Sequence, residues 1–256
     1  MFKRRFSMAW LLLFIGLFDS VSSSFAKETT KEDNVEKARN YIENNVIELN
    51  EILTSMKEKQ EDYDLQEIQA VIDNYYAKNA APKEVLNDKN LSIDDVFPLE
   101  NEKHEAGQEK AVLNFEELLS HAKENKNEGD SIYEFSNKDG IVTVYVSKTG
   151  EVMILDDSVR PTPDLNKNNN QLAAMKTTKT KRTTGIAYNG LGLKMFTIWA
   201  EGNFQYDGKT AKHANADGNV QRHFWGSTLV LNNRAIGAKR TVTIGGYKYP
   251  EVYTRV

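Results

Sequence analysis

No cysteine occurs among the 256 residues. That excludes disulfides, thiol catalysis and metal sites built on cysteine. Histidine is almost as scarce: His104, His121, His213 and His223 are the whole complement. None falls into HExxH or pairs at helical spacing, so no zinc site is predicted. The nucleophile motifs GxSxG and SxxK are missing as well. Asn189-Gly190-Leu191-Gly192 lacks the third glycine and the following helix of a dinucleotide loop, and it reads as a turn. No catalytic residue and no cofactor is predicted. A carboxylate pair of the glycosidase kind is the one enzymatic alternative left open.

Long apolar runs are lacking too. Met8–Phe18 (MAWLLLFIGLF) has eleven residues, against the ~20 that a membrane-spanning helix needs. Its setting is that of an export signal. Lys3, Arg4 and Arg5 precede it, and Ser24-Phe25-Ala26 offers small residues where a signal peptidase reads. Cleavage between Ala26 and Lys27 is predicted, releasing a secreted, extracellular protein. No cysteine is present to carry a lipid anchor. Secretion without disulfides suits a Gram-positive style of export, with packing in place of staples.

Charge is unevenly placed. Residues 27–176 hold 18 cations and 32 acids, whereas residues 177–256 hold 12 cations and 4 acids. Such a split predicts two electrostatic units. The cationic end is suited to anionic surfaces, with the acidic part docking on it or keeping it soluble. An acidic helical layer packed on a basic sheet accounts for the split equally well.

Periodicity divides the chain further. Val35, Ala38, Ile42, Leu49, Ile52 and Met56 recur at spacings of three and four, with Asn45 in the missing seam position. Leu65, Ile68, Ile72 and Tyr75 resume the pattern after the polar break Glu61–Asp64, which predicts an antiparallel helical hairpin over 30–78. A short apolar patch, Leu91–Phe97, and a helix over 111–123 follow. From Ser131 the period becomes two. SIYEF, IVTVYVS and EVMIL, separated by Lys138-Asp139-Gly140 and Lys148-Thr149-Gly150, predict a three-stranded meander.

Residues 158–184, with Pro161, Pro163 and the apolar-poor KTTKTKRTT, read as a linker with no packed element. Lys181-Arg182 is the candidate processing site within it. Beyond it the chain is β. Leu193–Tyr206 alternates Phe196, Ile198, Ala200, Phe204 and Tyr206 against Thr197, Glu201, Asn203 and Gln205, and runs into Asp207-Gly208. Met195 and Trp199 are apolar side chains on the polar face, either covered by a second layer or exposed as a contact. HFWGSTLVL (223–231), AIGAKRTVTI (235–244) and 247–253 read as further strands, the last two joined by Gly245-Gly246. The predicted fold class is α+β: an N-terminal helical hairpin and small α+β unit, a linker, and a C-terminal all-β sandwich or barrel. The predicted boundaries are a signal peptide at 1–26, an acidic region at 27–157, the linker at 158–184 and a cationic β-sandwich-like domain at 185–256.

Aromatics and cations crowd this end. Core packing explains most of them; Trp199, Met195, Trp225, Arg222, Lys239 and Arg240 are the candidate contacts to an envelope surface. Nucleic acid matches the local charge but not an exported chain, and it is set aside. The segments FTIWAEGNFQYDGK and HFWGSTLVLNNRAIGAKRTVTIGGYKYPEVY, behind an acidic helical front and a signal peptide, resemble the geobacillin-type large bacteriocins of thermophilic bacilli. That resemblance implies an exported, unmodified antimicrobial protein, an antibiotic against related strains. It carries over no functional residue. The expected partner is the bacterial cell envelope, with peripheral membrane contact as part of it. A cell-wall or polysaccharide-binding module without killing activity is the alternative.

Overall fold

The computed structural model describes residues 30–98, 123, 129–161, 176–223 and 235–255. The signal segment with its Ala26–Lys27 cleavage point, the helix expected over 111–123 apart from Lys123, most of HFWGSTLVL and Trp225 lie outside the described residues. The architecture is α+β: a helical front, a seven-stranded antiparallel sheet and a two-stranded hairpin.

Helix α1 (Lys31–Glu58) and helix α2 (Leu65–Lys78) form the expected pair. Each begins with a reciprocal cap, Thr30 with Asp33 and Asp64 with Glu67, which satisfies amides that the first turn leaves unpaired. Leu49, Leu53, Ile68 and Ile72 are fully buried between these helices and the sheet. Burial of each such side chain contributes roughly 1.5–3 kcal/mol. Asn45 explains the gap in the stripe: its Nδ2 donates to the Tyr41 carbonyl, and its Oδ1 accepts from the Tyr75 hydroxyl at 2.5 Å, a polar link between the helices. The short helices α3 (Lys83–Asn87) and α4 (Ile93–Val96) close the end of α1, burying Val85 and Val96 against Ala38 and Ile42.

Strands β1 (Ser131–Asn137), β2 (Gly140–Val146) and β3 (Val152–Arg160) form the meander. Phe135, Val142, Val144, Val146, Val152 and Ile154 point to the helices. The sheet then continues where a linker was expected. Strand β4 (Lys176–Thr177) pairs with β6, and strand β5 (Thr180–Tyr188) lies between β3 and β6 (Lys194–Tyr206). Residues 176–177 and 180–184, expected to lie in the linker 158–184, are strand, and β5 runs unbroken past position 185. KTTKTKRTT has few apolar residues, but threonine favours strands, and alternation sends Thr180 and Thr184 inward and Lys181 outward.

A further strand, β7 (Ala211–Arg222), pairs along β6. Its sequence, AKHANADGNVQR, shows little apolar alternation, and it was not anticipated. One edge of β6–β7 presents Ala200, Gly202, Ala216 and Gly218 as a strip of small residues on the face opposite the helices. Onto it packs the hairpin β8 (Ala235–Ile244) and β9 (Tyr247–Arg255). A side chain on Gly202 would strike Val252, and one on Gly218 would strike Thr254. The expected sandwich or barrel thus reduces to one large sheet with two strands laid on its far face.

Candidate functional site

The hairpin is built by its turn. Gly245 and Gly246 have φ of +58° and +84°, the paired left-handed conformations that a two-residue hairpin turn demands and glycine supplies without strain. This register sets Ile244 opposite Tyr247 and Val242 opposite Tyr249. Alternation puts these four on the face turned away from Val252 and Thr254, which meet the sheet. At the tip Ile244 is 64% exposed and Tyr247 69%. Lower on the same face Arg240 lies 4.7 Å from the Tyr253 ring and pairs through both nitrogens with Glu251 directly across the ladder. Lys239 and Lys248 leave from the other face, exposed, with no ion pair among the described residues. The His213 ring bonds the Glu251 carbonyl at 3.0 Å and fastens the hairpin to β7. A cleft of about 480 Å³ remains where the hairpin overhangs Leu155, Gly185 and Ile198.

Trp199 lies elsewhere. Strand alternation points it to the helix-covered face of the sheet, in a row with Asp156, Thr184 and Asn219. The Arg182 guanidinium stacks 4.0 Å from its ring and bonds Glu201 at 2.6 Å. Neighbouring rows bring up Ser158, Thr180 and Asn203, all buried. This is a polar floor with one aromatic in it. Burial raises the Asp156 carboxyl above the ordinary carboxylate range, against the Ser158 hydroxyl and Arg160, which favour its charge.

The five candidate contact residues that are described therefore do not share a surface. Lys239 and Arg240 sit on the hairpin. Trp199 sits on the opposite side of the large sheet. Arg222 pairs opposite Phe196 near the end of β7, and Met195 is the extra residue of a bulge beside Tyr188. Lys181 and Arg182 are held inside β5 by ladders on both sides and by ion pairs to Asp157 and Glu201. The candidate processing bond thus lies in a central strand, whereas a protease acts on an extended segment free of such pairing. Tyr247 and Tyr249 belong to the aromatic-rich end read from the sequence without being among its six candidate contacts, and Ile244 and Lys248 are outside that reading. The available signal was Gly-Gly flanked directly by large apolar residues.

A third cluster ties the sheet to α2. Asp73 accepts from the Tyr188 hydroxyl at 2.8 Å, from Lys194 at 2.7 Å and from Gln69 at 3.2 Å. Burial opposes its charge, yet those three hydrogen bonds outweigh burial, and the carboxyl sits below its usual range. Among the described residues no three His, Asp or Glu side chains gather as they would around a metal ion. No helix of the described residues is long and apolar enough to cross a membrane. No family model matches the chain, and no curated protein or solved structure matches it either.

Proposed function

We propose that the chain is a secreted, non-enzymatic antibacterial protein of the bacteriocin kind, acting at the envelope of related bacteria. The observation that supports it is the separation of charge across one sheet. Residues 31–96, the helical front, hold eight cations against sixteen acids. The hairpin β8–β9 on the opposite face holds four cations against one acid. An anionic envelope draws the hairpin side and repels the helical side, so the charge distribution orients the approach. Purified protein comprising residues 27–256, spotted on lawns of related bacilli, is expected to clear them. The absence of a zone on every lawn rejects the proposal.

The Trp199 floor favours a second reading, a wall-polymer or polysaccharide-binding module that kills nothing. An indole among hydrogen-bonding side chains suits a sugar ring. Such a protein sediments with peptidoglycan, leaves cells viable and loses the polymer on Trp199→Ala. An antibacterial protein acting through the hairpin keeps its killing titre in that variant.

A further inference from the structure

The geometry points to the tip of the β8–β9 hairpin as a lipid-binding element that seats in the interface of an anionic bilayer. This rests on the envelope reading and names the component bound. Four observations carry it. Ile244 and Tyr247 are paired across the ladder and are the two most exposed large apolar side chains among the described residues, at 64% and 69%. Tyr249, 46% exposed, follows on the same face one register step from the tip. A tyrosine ring with its hydroxyl matches the boundary between headgroups and acyl chains.

The turn itself is unencumbered: a side chain built on Gly245 or Gly246 would meet nothing within 4 Å, so the tip stands clear of the other described residues. Lys248 stands one residue from Tyr247, and Lys239 lies farther down the opposite face of the ladder, both exposed. Long lysine side chains reach from such positions back to lipid phosphates while the tip enters the interface. The one acid of the hairpin, Glu251, is engaged by Arg240, so it does not cancel the lysines. An apolar tip with Lys248 beside it, on a hairpin of four cations and one acid, is complementary to an anionic bilayer. A neutral glycan has no use for the lysines.

The test uses residues 27–256, because Met8–Phe18 would bind vesicles by itself. Sedimentation is measured with vesicles of equal phosphatidylglycerol and phosphatidylcholine, and with phosphatidylcholine alone. Binding is expected to the mixed vesicles and to weaken as salt rises. Ile244→Ser with Tyr247→Ser should lower partitioning at least tenfold. Replacing Lys239 or Lys248 by Gln should each lower it about fivefold, since a cation near an anionic surface contributes to that order. All four positions are exposed, so the variants keep their circular dichroism and melting profile. A Tyr247→Trp variant, excited in the presence of vesicles, should shift its emission to the blue. Equal partitioning of the Ser variant overturns the proposal, as does binding to phosphatidylcholine alone with the same affinity. Sedimentation with cell-wall sacculi but not vesicles overturns it too, as does a tip-dependent dimer with no lipid affinity. Vesicle binding by a protein that kills no strain leaves this inference standing and removes the antibacterial one. Killing by a variant with a silent tip does the reverse.

Discussion

Two carboxylates show how local surroundings set the sign of a charge's contribution. Asp156 is 2% exposed and its folded-state pKa is raised. A carboxyl shifted upward destabilises the fold above its folded value, and that loss fades as pH falls through it, the reverse of the usual aspartate. Asp156→Asn should therefore raise the melting temperature at pH 7, and the gain over wild type should shrink on acidification. A gain that stays constant with pH would remove burial as the cause. Asp73 has the opposite shift. Its stabilising contribution is present above the unfolded carboxylate range and is lost as pH drops through the depressed folded value. Asp73→Ala leaves the Tyr188 hydroxyl, on a residue 2% exposed, without its acceptor, at a cost of about 1–3 kcal/mol. Tyr188→Phe should cost less, because Lys194 still holds Asp73; thermal melts of the two variants order them. None of these partners was legible in the sequence. Asp73 and Tyr188 lie 115 positions apart, and no local pattern reports such a pairing.

At the scale of elements, the sequence is transparent wherever one face of an element is apolar. The helices α1 and α2 and strands β1–β3 follow their periodicity, because their buried faces meet a continuous apolar layer. Legibility fails over the first half of β5 and in β7, where the buried positions are Thr180, Thr184 and Gly218. Small and hydroxylated residues fill an interior too shallow for leucine, and no apolar stripe results. The pairing of β5 on both sides predicts that trypsin spares the bonds after Lys181 and Arg182 in the native protein. Cutting should appear only under conditions that unfold the sheet, as mass spectrometry of timed digests would reveal. The small-residue strip gives a second expectation. A side chain at Gly218 would come within 2.1 Å of Thr254 Oγ1 and 2.7 Å of the Gly237 amide nitrogen. Gly218→Val should lift the hairpin, costing roughly 1–3 kcal/mol. Amide exchange should quicken in 235–255 while α1 and α2 remain protected.

The described residues form a sheet with an acidic helical layer on one side and a cationic hairpin on the other. The charge asymmetry was plain in the sequence; its projection onto opposite faces was not, because the unanticipated strand β7 provides the platform that seats the hairpin. The Trp199 phase break was also plain, and its meaning changed once Arg182 and Glu201 were found beside it. In the proposed function the hairpin face makes the envelope contact. The deciding measurement is the killing titre of residues 27–256 against a sensitive bacillus, beside Lys239→Glu with Lys248→Glu at equal folded concentration. Reversal of both charges should lower the titre at least tenfold while the melting temperature stays within a few degrees of wild type. An unchanged titre would contradict the claim and move the contact to another surface.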